Sequence, residues 1–187
     1  MRFAVLVPLL ALSACIAPPP GAFSRLAGPA RDGDTATLQR LVAAGADPNV
    51  QDPAGNHWTP LLHAIHKERL ASVDALLRLG ADPKRGVNGQ TPLLMAVGTG
   101  NVAIVRRLID AGADPTVDDR IMLAAVSGGA LGDLDNPLLG RCNTDVVKAL
   151  QQRAPDLRVP PGARGRMAIM FARFNHCGDV IRLAARE

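Results

Sequence analysis

The chain reads AGADP at residues 44–48, LGADP at 79–83 and AGADP at 111–115, with the glycines spaced 35 and then 32 residues apart (45 to 80 to 112). Each copy of this phrase follows an apolar stretch with helical periodicity. Glycine at such a place accepts the left-handed conformation that ends a helix, and the proline prevents the helix from resuming. The period predicts an array of stacked helical repeats, which presents an extended binding surface rather than a catalytic pocket.

The segments between the phrases are typical of paired helices. Two of them open with TPLL, at residues 59–62 and 91–94, where threonine caps a helix and proline fits its first turn. The second helix of each repeat carries one apolar face. Its positions in three successive repeats are Thr37, Leu38, Leu41 and Val42, then Ser72, Val73, Leu76 and Leu77, then Ile104, Val105, Leu108 and Ile109. A single pair of helices cannot bury this face, so the neighbouring repeat must cover it. The core is therefore expected to run lengthwise through the stack.

These motifs resemble the ankyrin repeat family. The resemblance is specific over residues 47–115 and extends by spacing over residues 24–187, which implies an all-α repeat solenoid of about five helix-turn-helix repeats. The last two repeats are degenerate, and the fifth is expected to be a C-terminal cap. The family places a hydrogen-bonding histidine after Thr-Pro-Leu, whereas this chain has Leu62 and Leu94 there, so apolar packing should replace that bond. His63 follows one position later, where the family often faces its concave groove.

Residues 1–14 have the pattern of an export signal. Arg2 precedes an apolar run over residues 3–12 that is shorter than the roughly 20 residues of a membrane-spanning helix. The LSAC sequence that ends at Cys15 resembles the lipobox of bacterial lipoproteins. The resemblance implies that Cys15 is lipidated and becomes the first residue of the mature protein.

The residues after this cysteine bear on where the protein is held. Residues 15–23 would form the lipidated cysteine and a proline-rich linker, and residues 24–187 the repeat domain. Ile16 stands where many Gram-negative lipoproteins have an inner-membrane retention aspartate, so the sequence resembles an outer-membrane sorting signal. The alternative is ordinary cleavage near Ala17, which would release a soluble secreted protein.

Composition narrows the classes of partner. Hydrophobic residues make up 48% of the chain but aromatic residues only 3%, so the core must consist of aliphatic side chains. The formal net charge of +4 is a small excess for a nucleic-acid-binding protein. We therefore expect no nucleic acid and favour an acidic protein partner.

Enzymatic and metal-binding interpretations find little support. The chain has no Gly-x-Ser-x-Gly motif and no phosphate-binding glycine loop. His63 and His66 lie three residues apart with His57 nearby, but no Cys-x-x-Cys or His-Glu-x-x-His pattern accompanies them. Residues 133–136 (DLDN) lack the glycine and glutamate of a calcium loop. We expect a protein that is not an enzyme and needs no metal, cofactor or small-molecule substrate.

By the geometry of the family, the binding groove takes side chains from the loops between repeats, called fingers, and from the first helix of each repeat. The candidate partner-binding residues are His57, Trp58, His63, His66, Lys67, Lys84, Arg85, Val87, Asn88, Met95 and Thr99. Trp58 is the only tryptophan, and its finger, residues 50–58, is about two residues longer than the family pattern. Tryptophan is enriched at binding hot spots. The alternative is that Trp58 packs against its own helix.

A second insertion, residues 128–141, separates the two helices of the fourth repeat and contains four leucines. Exposed apolar loops either fold back on the array or meet a partner, and we favour folding back. Export would place Cys142 and Cys177 in an oxidising compartment. In the repeat register both lie in turns of adjacent repeats, and we expect a disulfide between them. Equivalent atoms of adjacent repeats are about one helix diameter apart, so the insertion must bring the two cysteines closer.

The sequence thus predicts a lipid-anchored periplasmic module that binds another protein without catalysis, as an inhibitor, an immunity partner or a stabiliser. The alternative function is architectural, with the anchored array organising outer-membrane components and the groove playing no part.

Overall fold

The computed structural model describes residues 23–127 and 143–185, which form α-helices in five consecutive pairs. The predicted export signal, the predicted lipidation site Cys15, the predicted insertion at residues 128–141 and Cys142 lie outside the described residues. The helices are α1 (Ala27–Asp32), α2 (Thr35–Ala43), α3 (Pro60–His66), α4 (Leu70–Arg78), α5 (Pro92–Thr99), α6 (Val102–Asp110), α7 (Arg120–Ser127), α8 (Thr144–Arg153), α9 (Ala163–Phe174) and α10 (Gly178–Ala184). The predicted all-α repeat architecture is confirmed.

The pairs stack in order along the array. Each first helix packs against the first helix of the next repeat, from α1 to α9, and the second helices pack in the same way from α2 to α10. One hydrophobic cluster continues from Leu26 in the first repeat to Ala184 in the last. Its largest fully buried side chains include Leu38, Leu61, Ile65, Leu76, Ile104, Leu108, Ile121 and Leu150. The core therefore runs lengthwise, as the apolar helix faces predicted.

The repeated phrase ends each second helix in the same way. Gly45, Gly80 and Gly112 have φ angles of 93°, 92° and 98°, in the left-handed region that favours glycine. The alanine after each glycine donates its backbone N–H to a carbonyl five residues back. This backbone pairing is the Schellman motif, which satisfies carbonyls left without partners at the end of a helix.

The aspartate of the phrase then stabilises a turn that leads into the finger, the loop to the next repeat. The carboxylates of Asp47, Asp82 and Asp114 each accept a hydrogen bond of 2.8 Å from the backbone N–H two residues later. For Asp114 that donor is Thr116, which holds the pKa of the carboxyl below its usual value. The phrase thus ends a helix, turns the chain and prevents the helix from resuming.

Threonine caps begin the two regular first helices. The Thr59 hydroxyl accepts the Leu62 N–H at 3.4 Å, and the Thr91 hydroxyl accepts the Leu94 N–H at 3.1 Å. Pro60 begins α3, as the TPLL motif predicts. Leu62 and Leu94 are both buried, so apolar packing does occupy the position where the family has histidine.

Polar side chains tie neighbouring repeats together on both edges of the stack. Near the fingers, the Asn49 amide donates to the Gly80 carbonyl at 2.9 Å and accepts the Asp82 N–H at 2.7 Å. On the opposite side, the Asn101 amide donates to the Glu68 carboxylate at 3.1 Å. None of the helices in residues 23–127 and 143–185 is both long and apolar enough to cross a membrane.

We predict opposite effects of alanine at two glycines. Gly112→Ala should destabilise the protein by about 1 to 2 kcal/mol, because a Cβ meets no atom there but the positive φ is strained for alanine. Gly98→Ala, inside α5 with equal space around it, should stabilise by about 0.5 to 1 kcal/mol through helix propensity. Urea unfolding of both variants measures the two changes. Changes of the same sign would contradict the assigned role of Gly112.

Candidate binding surface

The residues predicted to bind a partner lie on two fingers and on α3 and α5, and they fall into three classes by burial. The exposed residues are His57, His66, Lys67, Lys84, Arg85 and Asn88, the partly buried ones are Trp58 and Thr99, and the buried ones are His63, Val87 and Met95. The exposed and partly buried members form a surface, which we call the finger surface. The buried members belong to the structure beneath it.

A buried polar pair lies under the first finger. His63 Nε2 is 2.5 Å from Asp52 Oδ2, and both side chains are almost fully buried. The second carboxylate oxygen, Asp52 Oδ1, accepts the backbone N–H of Ser24 at 2.7 Å. Asp52 therefore joins the start of the array, the first finger and α3. Asp52 lies eleven residues before His63 in the chain, and no sequence motif marks it as a partner of the histidine.

Aromatic rings surround the histidine of this pair. The ring centroid of Trp58 lies 5.4 Å from that of His63 and 5.0 Å from that of His66. The Phe23 ring meets His63 edge-on at 5.7 Å, and the Arg31 guanidinium lies 5.6 Å from the Phe23 centroid. Trp58 thus packs against its own helix α3, as the alternative interpretation proposed. Because Trp58 is only partly buried, it also contributes to the finger surface.

The burial of three predicted contact residues corrects the sequence prediction. His63 is drawn inward by Asp52. Val87 is turned inward by the tip of its finger, where its backbone N–H and C=O pair with those of Gln90. Met95 lies on α5, which is packed between α3 and α7, and its side chain is in the core. None of these side chains is exposed to a partner.

The two fingers are closed and joined side by side. The Asp52 N–H donates to the Trp58 carbonyl at 3.0 Å, which closes the longer first finger, and His57 Nδ1 lies 3.0 Å from the Asp52 carbonyl oxygen. His57 and Asn88 both have left-handed backbones, with φ angles of 55° and 52°. The Asn88 amide donates to the Asn56 carbonyl at 3.4 Å. These hydrogen bonds close the first finger and join its backbone to Asn88 of the second finger.

The basic side chains of the finger surface are not held in ion pairs. Lys67, Lys84 and Arg85 are exposed and form no ion pair within the described parts of the chain. Arg120, at the next finger, is different, because it contacts Asp118 at 2.6 Å. The hydrogen bond from Arg120 lowers the pKa of the Asp118 carboxyl, and the same bond raises the pKa of Arg120. The charge of Lys84 contributes to the lowered pKa of the Asp114 carboxyl, but the lysine is not fixed in an ion pair with it.

The histidines offer no assembled metal site. His63 Nε2 is engaged by Asp52, so it does not join His57 and His66 as a ligand. Over residues 23–127 and 143–185, no group of three His, Cys, Asp or Glu side chains is placed to hold a metal ion.

Comparison with known proteins gives the same architecture. A family model described as "Ankyrin repeats (3 copies)" matches residues 26–119. The crystal structure of the human ASB11 ankyrin repeat domain is similar, with a TM-score of 0.66 and 24% sequence identity over 87% of this chain and 70% of that one. At this identity the likeness shows the fold alone. No curated protein is significantly similar in sequence.

We predict strong energetic coupling between Asp52 and His63. Removing either partner leaves a buried polar group without its hydrogen bond, which costs about 1 to 3 kcal/mol. A cycle of Asp52→Ala, His63→Ala and the double variant should give a coupling energy between about 0.5 and 3 kcal/mol. Urea unfolding followed by Trp58 fluorescence measures it.

The matched control is the pair formed by Arg107 and Asp74, which are 3.0 Å apart but more exposed. Its coupling energy should lie below about 1 kcal/mol, as for other solvent-exposed ion pairs. A coupling at Asp52 and His63 no larger than in this control would contradict a structural role for the buried pair.

Proposed function

The chain belongs to the ankyrin repeat family, and from this premise we propose that it holds another protein on its finger surface without catalysing a reaction. Ankyrin repeats are generally protein-protein interaction modules. The observation that carries the proposal for this chain is the finger surface itself, where Lys67, Lys84 and Arg85 are exposed beside the partly buried Trp58.

The chemistry of the finger surface favours an acidic partner with an apolar anchor. Charges at the rim of an interface raise the association rate and reject partners of the wrong sign. A tryptophan held in place by neighbouring rings supplies the contact that typically dominates binding energy. The hydrogen bond between Asn88 and Asn56 already joins the two fingers, which lowers the cost of ordering their backbones on association. The roles open to such a module are those of an inhibitor, an immunity partner or a stabiliser.

We predict that substitutions on the finger surface release the partner. Affinity capture with the protein should recover one stoichiometric partner, and the Trp58→Ala, Arg85→Ala double variant should lose it. The loss of a hot spot corresponds to a drop in affinity of about 30-fold or more. Since Trp58 also packs on α3, Lys84→Glu with Arg85→Glu provides a second variant that changes only exposed side chains.

The matched control is Arg78→Glu with Arg106→Glu, because both arginines are exposed and belong to second helices rather than to the fingers. This variant has the same change of net charge and should keep the partner. Broad capture that is indifferent to all of these changes would contradict the binding-module proposal and favour the architectural role.

We further propose that the protein is anchored by lipid at Cys15 and faces the periplasm from the outer membrane. The proposal is supported by the LSAC sequence at residues 12–15 and by Ile16 after the cysteine. Several acyl chains hold a protein firmly, whereas a single one binds reversibly. A released, secreted form remains the alternative.

Metabolic labelling with a fatty-acid analogue tests the anchor. The native chain should incorporate the label and fractionate with membranes, and Cys15→Ser should do neither. Cys142→Ser serves as the control for loss of a cysteine elsewhere and should label normally. An unlabelled native chain would contradict the anchor and leave the secreted form.

We also propose a disulfide between Cys142 and Cys177. Cys177 is buried at the residue before α10, and Asn143 precedes α8. Thr144 and Cys177 line the same surface depression, so the beginnings of α8 and α10 are neighbours. This proximity supports the pairing.

A disulfide that closes the chain segment between Cys142 and Cys177 should stabilise the last two repeats by roughly 3 to 4 kcal/mol on the chain-entropy model. A reductant should therefore lower the melting temperature of the native chain but not that of Cys142→Ser. Non-reducing peptide mapping that finds two free thiols would contradict the pairing.

A further inference from the structure

Helix α9, the first helix of the terminal repeat, is apolar on two opposite faces. Ala168 and Ala172 are buried in the core of the array, and Gly165 is buried beneath Val159 and Pro160 of the preceding loop. On the other side, Met167, Met170 and Phe174 are 46%, 58% and 81% exposed. Their spacing of three and four residues places them in one row along the helix, which we call the α9 strip. A terminal repeat normally presents a polar outer face for solubility, so the strip is an exception that indicates contact with something else.

Positive charge surrounds the α9 strip. Arg164, Arg166 and Arg173 are exposed, and they form no ion pair with any residue in the described segments. The sequence of α9, ARGRMAIMFARF, contains no acidic residue. On the following helix, Asp179 is already paired with Arg182. The charge of the three arginines therefore remains available to an anionic ligand.

We propose that the α9 strip docks on the surface of an anionic lipid bilayer. Methionine and phenylalanine side chains in a row can enter the boundary between head groups and acyl chains, while arginines beside them reach the lipid phosphates. Guanidinium groups suit this role because they bind phosphate through two parallel hydrogen bonds. This interaction is separate from the finger surface and does not depend on a bound protein partner.

Charge and shape favour a bilayer over the other occupants. A second copy of the chain would bring three more arginines against the first three, and such like-charge contacts are unfavourable. A protein partner would need a cavity shaped to receive a side chain as exposed as Phe174. A bilayer needs no such cavity, because its interface accepts apolar side chains of any arrangement.

Fluorescence quenching by lipid tests the contact at the strip itself. The full chain with Cys15→Ser, which excludes acylation, would carry Phe174→Trp and be mixed with vesicles of phosphatidylglycerol and brominated phosphatidylcholine in equal parts. After subtraction of the Trp58 emission of the parent chain, the added indole should shift to the blue and be quenched. Val117→Trp is the matched control, because Val117 is 76% exposed but lies outside α9. It should be neither shifted nor quenched.

A charge variant tests the role of the arginines. Arg164→Gln, Arg166→Gln and Arg173→Gln together should weaken vesicle binding, followed through the Phe174→Trp indole, by roughly a hundredfold. The control variant Arg40→Gln, Arg78→Gln and Arg106→Gln removes the same net charge from exposed positions on second helices and should leave binding unchanged. Circular dichroism checks that both variants are folded.

Four outcomes would overturn the proposal. The first is that vesicles do not quench the indole at position 174, and the second is that they quench it no more than the indole at position 117. The third is an emission shift of the indole at position 174 without lipid and in proportion to protein concentration, which would assign the strip to a second copy. The fourth is an emission shift with a polyglutamate peptide but not with vesicles, which would assign the strip to an acidic protein.

Discussion

The apolar face that each helix pair shares with the next pair holds this array together. No pair can bury its own face, so stability accumulates along the stack and each repeat depends on its neighbours. The core is built almost entirely from Leu, Ile, Val, Ala and Met, and these side chains allow the helices to approach closely. Hydrogen bonds between neighbouring repeats, such as those of Asn49, then fix the register that the apolar contacts leave free.

Features that depend on a few consecutive residues could be predicted from the sequence. The glycine helix ends, the threonine caps and the apolar faces of the second helices are local, because helix geometry alone decides them. The Asp52–His63 pair could not be predicted, because burial and the distant Ser24 N–H select the partner. The same limit explains Val87 and Met95, whose orientation depends on neighbouring repeats. For α9, periodicity shows two apolar faces but does not show which one the array covers.

Residues of the finger surface that could contact a partner also pack on the buried residues beneath them. The Trp58 ring packs against the rings of His63 and His66, and His63 is hydrogen-bonded to Asp52. The ring that would contact a partner is therefore supported by a buried hydrogen bond. Such a ring has little freedom to lose on binding. The basic residues beside it have no comparable support, and they contribute charge rather than shape. Substitutions under the surface and substitutions on it should therefore differ in kind, the first changing stability and the second changing affinity.

The hydrogen bond from Ser24 to Asp52 has a mechanical consequence. Ser24 lies at the start of the described chain, yet its partner belongs to the finger that leads into α3. A force applied to the chain before Phe23 would act directly on the hydrogen bond between Ser24 and the buried carboxylate of Asp52 in the next repeat. The short helices α1 and α2 would therefore carry only part of that force. The first repeat is held by this hydrogen bond at its start as well as by the packing of its helices on the next repeat, so unfolding from this end must break the bond first.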